Sequence, residues 1–211
     1  MTAKSAIHII SHPLLQEHLM RLRDKNTEPP KFRWHLKEAA KILFWEVLSR
    51  VPAKKIAVQT PLGKAEGIGV GVDIILVNIL RASLGMTEGM IEIYPKATMG
   101  HIGLYRDETT LKPVQYYVKV PRMRKDTLVV LVDPMLATGG SAVHAVKLLK
   151  KQGAKTIAMI SLIAANKGVK VLTRAHPDVD IYLAAVDEGL NDQGFIVPGL
   201  GDCGDRQFGT L

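Results

Sequence analysis

Cysteine is almost missing from this sequence. Cys203 stands alone among 211 residues, so no intrachain disulfide can form, and the usage fits a reducing compartment. A cytoplasmic location is expected. Aromatic residues are scarce at 5%, and no basic-aromatic strip offers a stacking platform for nucleic acid. No apolar run reaches the ~20 residues of a membrane span; the longest are IILVNIL (74–80) and TIAMISLIAA (156–165). The opening MTAKSAIHII has no extended apolar core followed by a cleavage site, so no secretory signal is expected. No fixed-period repeat or low-complexity segment occurs. The seven histidines show no metal-ligand spacing and no His-Glu-x-x-His, and read as surface or helix-face residues. Acidic residues are the minority sign, 20 against 28 basic ones, giving a net charge of +8 and a pI near 9.6. That balance favours anionic partners. The basic residues are spread along the chain without a long run, which suits a phosphate site better than a nucleic-acid surface.

What is present is an ordinary globular composition, 47% hydrophobic and 23% charged, at a length that fits one domain with a substantial core. Ser11-His12-Pro13 reads as a helix start with Ser11 as a capping candidate. Leu15, His18, Leu19 and Leu22 then keep one face. A second helix is predicted from about Lys31 to Arg50, with Leu36, Ala39, Ala40, Leu43 and Val47 as a buried stripe. Trp34 and Trp45 belong to that packing or its rim. After Lys55 come strand-like segments: IAVQT, IILVNI, HIGLY, VQYYVKV, TLVVLV, KTIAMISLI and VDIYLAAV. Helices are expected at Met86–Tyr94, Ser141–Gln152 and Lys167–Ala175. Such alternation predicts an α/β fold around a mainly parallel sheet flanked by helices, with the N-terminal helical segment, about 11–50, on its side. Residues 106–121 are polar and then aromatic, and read as a flap.

The chemistry concentrates at LVDPMLATGGSA (131–142). LVVLV (128–132) is a strand buried on both faces, and AVHAVKLLKKQG has helical apolar spacing with Lys150, Lys151 and Gly153 as stop signals. Thr138-Gly139-Gly140-Ser141 therefore lies between a strand's carboxyl end and a helix N-terminus, where unpaired N–H groups stabilise an anion. Glycines let backbone approach phosphate oxygens, and Asp133 suits two neighbouring ribose hydroxyls. Alone, a Thr-Gly-Gly favours a plain corner with Ser141 as N-cap. The register of strand, acid and helix favours a ribose 5-phosphate. It is no Walker loop, and the alternating Gly67, Gly69 and Gly71 are a strand edge, not a dinucleotide fingerprint.

DPMLATGGS resembles the signature of the type I phosphoribosyltransferases, which bind 5-phosphoribosyl 1-pyrophosphate (PRPP). Pro134 stands where most of them have a second acid, and this is similar to the uracil-specific family. ILRASLGM resembles that family's pyrophosphate loop, with Ser83 in place of a glycine. GLYRDETTLKPV (103–114) resembles its second arginine segment. DEGLNDQGFIVPGLGDCGDRQFGTL (187–211) is similar to its uracil-binding end, with Cys203 in place of alanine. A floppy tail would not carry Phe195, Ile196, Val197, Leu200 and Phe208.

The resemblance implies a single phosphoribosyltransferase domain over 1–211 with a C-terminal base-binding hood at about 187–211, and the conversion of uracil and PRPP to UMP and diphosphate with Mg²⁺. It implies catalytic roles for Arg81, Arg106 and Asp202. PRPP is expected to meet Arg81, Arg106, Asp133, Pro134, Met135, Leu136, Ala137, Thr138, Gly139, Gly140, Ser141 and Asp202. Uracil is expected at Ile196, Gly201, Asp202 and Cys203, with Cys203 acting through its backbone and not as a nucleophile. A homo-oligomer, dimer or tetramer, is implied, as are GTP or CTP as possible effectors. Two rivals stand beside this reading: a regulator of the same fold that binds RNA, and a purine or orotate transferase.

Overall fold

The computed structural model describes residues 6–106 and 113–210. A short strand, β1 (Ile7–Ile9), precedes two helices, α1 (Pro13–Arg23) and α2 (Pro29–Leu48). A hairpin of β2 (Ala53–Gln59) and β3 (Lys64–Val70) follows, and then β4 (Ile74–Leu80), α3 (Leu84–Ile93), β5 (Thr98–Arg106) and β6 (Pro113–Lys119). The second half runs β7 (Leu128–Val132), β8 (Met135–Leu136), α4 (Gly140–Lys151), β9 (Thr156–Ala165), α5 (Asn166–Ala175) and β10 (Asp180–Asp187). The chain closes with a small hairpin, β11 (Gly189–Leu190) and β12 (Ile196–Val197), and helix α6 (Cys203–Phe208).

The main sheet has the order β1-β10-β9-β7-β4-β5-β6, with β8 added beside β9. All its pairings are parallel except β5 with β6. The centre goes to β4, β7 and β9 because their side chains are apolar on both faces: β7 is buried throughout, and β4 and β9 in all but one residue each. Such strands need helices over both faces. Leu76, Val130 and Ile160 pack under α1 and α2, while Val77, Leu131 and Met159 pack on the α4 and α5 side. The stripe on α2 packs as its spacing predicts; Leu36, Ala39, Ala40 and Leu43 are fully buried.

Several expectations need correction. His12, not Ser11, caps α1, its ring Nδ1 accepting the N–H of Leu14 at 3.2 Å. Helix α2 begins at Pro29, two residues earlier than expected, since prolines suit its first turn, where backbone N–H groups have no helical acceptor. Trp34 and Trp45 lie at the rim, both more than half exposed. His18 is buried, its Nδ1 2.9 Å from Nδ1 of His35, against the edge of Trp34. The IAVQT segment lies outside the main sheet and pairs only with β3, where Gly67 and Gly69 sit. Residues 113–119 form β6, which returns along β5 as the antiparallel edge of the sheet. Of the expected flap, residues 107–112 lie outside the described residues.

Candidate active site

Strands β4 and β7 are neighbours and parallel, Ile74 opposite Leu128 and Asn78 opposite Val132. The chain nevertheless leaves them in opposite directions, from β4 to β5 on one side and from β7 to β9 on the other. A crevice opens at the carboxyl ends of two such strands, and ligands bind there in open α/β sheets. The residue leaving β4 is Arg81, and the residue leaving β7 is Asp133.

The exit from β7 is tied down on both sides. Ser161 Oγ donates to the carbonyl of Asp133 at 2.5 Å, and the carbonyl of the buried Pro134 accepts the N–H groups of Leu162 and Ile163. Met135 and Leu136 then pair with Ile163 and Ala164. The turn into α4 depends on Gly139, which adopts φ +83°; a Cβ there would lie 2.9 Å from the carbonyl oxygen of Gly168. Gly139 is the N-cap and Gly140 the first helical residue, so Ser141 sits one place inside the helix and does not cap it. A glycine cap brings no side chain to cover the first N–H groups of α4, and such uncovered groups suit an anion.

Above the turn lies a cavity of about 980 Å³. One wall is Asp133, Met135 to Gly139 and Ser141; the other is Asp192 to Ile196 together with Asp202. Of the residues expected for PRPP, Pro134 and Gly140 belong to the same turn without lining the cavity, and Arg81 lies outside it, as do Gly201 and Cys203 of those expected for uracil. Arg106 ends β5, which lies beside β4, and its side chain lies outside the described residues. The wall at 192–195 is an addition to the sequence reading. Asn191 Oδ1 accepts the N–H groups of Gln193 at 3.1 Å and Phe195 at 2.8 Å. This turn is readable in NDQG, because asparagine side chains close their own following backbone, but its place over the phosphate turn is not.

The loop after β4 is pinned from beneath. Ser83, fully buried, donates to the carbonyl of Ile79 at 2.8 Å and to Asn78 Oδ1 at 3.0 Å. A serine is thus accommodated at this position without an unpaired hydroxyl. Gln207 of α6 holds the same loop from above, donating to the carbonyl of Ala82 at 2.7 Å and accepting the N–H of Gly85 at 3.3 Å. Arg81 is exposed, with Nη2 3.5 Å from Asp205 Oδ1 and its guanidinium over the ring of Phe208. A long ion pair in water is worth little, so an anion entering the crevice can displace it.

Asp202 caps α6, its Oδ1 accepting the N–H of Asp205 at 2.9 Å. Ile196 is buried and Gly201 exposed with φ +76°. Cys203 is fully buried. Burial first, and then the charges of Asp133 and Asp202, push its thiol far up, so it stays protonated near neutral pH. That excludes a resting thiolate nucleophile. Among the described residues no group of three or more His, Cys, Asp or Glu is placed to hold a metal ion, and no helix is long and apolar enough to cross a membrane.

A glycine-capped phosphate turn at the switch point of a parallel sheet, faced by a hood from the chain's end, defines a type I phosphoribosyltransferase. Within that class the match is specific: the family model "Uracil phosphoribosyltransferase" covers residues 9–210, and the chain belongs to that family. It is 54% identical over 203 residues to the uracil phosphoribosyltransferase of Dictyoglomus turgidum, covering 96% of this chain and 98% of the relative. It is 51% identical to that of Geobacillus kaustophilus, covering 97% and 98%. Among solved structures, the AQ2163 protein from Aquifex aeolicus superposes with a TM-score of 0.91 at 36% identity, over 96% of this chain and 97% of that one. A hypoxanthine-guanine phosphoribosyltransferase from Bacillus anthracis superposes with a TM-score of 0.51 at 18% identity, over 75% and 80%, and shares the fold.

Proposed function

We propose that this protein transfers the 5-phosphoribosyl group of PRPP to N1 of uracil, giving UMP and diphosphate. The observation that supports the assignment of roles is the shared cavity: Asp133, Ala137, Thr138, Gly139 and Ser141 lie on one wall, and Ile196 and Asp202 belong to the other. The opening N–H groups of α4, with the hydroxyls of Thr138 and Ser141, hold the 5-phosphate. Asp133 takes the ribose hydroxyls. Arg81 exchanges its weak contact with Asp205 for the diphosphate, and Arg106 serves the same anion from β5, its planar fork suited to two phosphate oxygens. Charge builds on the leaving diphosphate as the ribose becomes oxocarbenium-like, and fixed cations there stabilise that separation. The glycine-rich backbone at 199–203 sets the base edge so that N1 faces the anomeric carbon. Positioning supplies much of the rate.

Three aspartates, Asp133, Asp192 and Asp202, line the cavity, but among the described residues they are not grouped closely enough to form a cation site alone. They fit a Mg²⁺ that arrives on the diphosphate, where it would neutralise part of the leaving group's charge. The protein works in the cytoplasm as a homo-oligomer, a reading supported by the apolar side chains that the β2–β3 hairpin exposes.

The test is release of diphosphate from PRPP and Mg²⁺ with uracil, cytosine, orotate, hypoxanthine or adenine offered separately, with and without GTP and CTP. Release with uracil alone, with UMP as product, is expected. Turnover of a purine or orotate instead, or no turnover alongside tight RNA binding, overturns the assignment.

A further inference from the structure

The base pocket proposed above is built largely of backbone, so something must fix that backbone. We propose that Arg23, acting through Asp187, is a positioning residue for uracil; the inference rests on the assignment of residues 196–203 to the base.

Arg23 is the last residue of α1, and Asp187 ends β10. The guanidinium grips the carboxylate with both ends of its fork, Nη1 to Oδ2 at 2.8 Å and Nη2 to Oδ1 at 2.6 Å. The same Nη1 donates to the carbonyl of Gly199 at 2.7 Å, and Asp187 Oδ2 accepts the N–H of Gly199 at 3.0 Å. One ion pair thus holds both polar groups of a single residue. That residue has φ +61°, and any Cβ on it would collide with the carbonyl of Ile196. The pair is largely withdrawn from water, with side-chain exposures of 16% and 7%.

The next residue is held from the other side. Arg206 of α6 donates to the carbonyl of Leu200 at 2.8 Å, to that of Asp24 at 2.5 Å and to that of Leu22, while its guanidinium lies over the ring of Phe32. Gly199 and Leu200 lead straight into Gly201, Asp202 and Cys203, and both are moored to the end of α1. Neither Arg23 nor Asp187 lines the cavity; what they hold is the backbone of Gly199. Buried ion pairs are poor sources of stability, since apolar replacements often serve as well. A bidentate fork does fix direction and distance, which a base edge read by backbone requires.

The test is steady-state kinetics and thermal melting of Arg23→Met, Arg23→Lys, Asp187→Asn and the double variant Arg23→Met/Asp187→Asn. Ile157→Ala serves as a control, because Ile157 is a buried residue near the opposite end of β9. The KM for uracil should rise about tenfold in Arg23→Met and Asp187→Asn, with the KM for PRPP within about twofold of wild type. Arg23→Lys, which keeps the charge without the fork, should fall between. The double variant should be no worse than the worse single, as expected of groups acting as a unit. Ile157→Ala should melt lower with both KM values unchanged. An unchanged KM for uracil in folded Arg23→Lys and Asp187→Asn, while wild type turns uracil over, overturns the clamp alone. Loss spread equally over both substrates and tracking the melting temperature also overturns it. A wild-type protein that does not use uracil overturns the base assignment and the clamp together.

Discussion

Gly139 and Cys203 show how differently single residues announce themselves. Gly139 adopts φ +83° with the Gly168 carbonyl close beneath it, so Gly139→Ala should cost about 1–3 kcal/mol through backbone strain. It should also raise the KM for PRPP, because the tilted peptide spoils the donors proposed to meet the phosphate. Melting and initial rates check this, and an unchanged melting temperature would refute the strain argument. The special backbone of this glycine was legible in TGGSA because a tight strand-to-helix turn depends only on local spacing. Cys203 was legible as a non-nucleophile, but its complete burial was not, since the surrounding GLGDCGD is polar and glycine-rich. With the thiol held protonated by burial and by Asp133 and Asp202, a disulfide reagent such as dithiobisnitrobenzoate should leave the native protein unmodified at pH 7.5 and label it only on unfolding. Cys203→Ala should retain activity within about threefold. Rapid labelling of the native state would contradict the buried, protonated thiol.

At the scale of elements, the central strands and the long helices were readable, because continuous apolar runs and 3.6-residue stripes are properties of a segment alone. Placement against other segments was not. The three-residue β1 is a strand only because β10 lies beside it, and the 192–195 wall reaches the phosphate turn only through the β11–β12 pairing and the mooring at Gly199. The α1–α2 contact is a further case, since spacing marked His18 as part of a helix face but could not show His35 against it. Burial lowers the pKa of His18 from its ordinary 6.5, with Glu38 and Glu17 opposing. Burial also lowers that of His35, assisted by His18 and Arg21 and opposed by Glu17. The unfolded chain therefore takes up protons first as pH falls. The stability these rings contribute is complete above about pH 6.5 and is lost as pH drops through the lowered folded values. A hydrogen bond between two Nδ1 atoms also needs one of them unprotonated. The melting temperature of wild type should fall between pH 7.5 and 5.5 by more than that of His35→Gln. Equal falls in the two proteins would remove the pair from the acid sensitivity.

The whole molecule presents one feature that packing within the chain does not explain. Among the described residues the β2–β3 hairpin pairs with no other strand, and nearly all its residues are exposed. Ile56 and Val58 share one face with the small residues Gly67 and Ala65, with Lys54 at its edge, while Ile68 is 74% exposed on the other face and Leu62 is 100% exposed at the turn. A lone two-stranded ribbon is marginal in water, and contiguous exposed apolar side chains mark contact surfaces. A second copy of the chain is the occupant consistent with the proposed homo-oligomer, and symmetric pairing would bury the same patch on both copies. The net charge of +8 opposes the approach of like copies, so association should tighten as salt screens the repulsion. Sedimentation of wild type at about 10 µM should give an oligomer, stronger at 0.5 M than at 0.05 M salt. The variant Ile56→Glu/Ile68→Glu should shift it toward monomer with the main-sheet fold intact by circular dichroism. An oligomer that survives both charges would move the interface elsewhere on the molecule, and a wild-type monomer under these conditions would leave the hairpin without the role proposed for it.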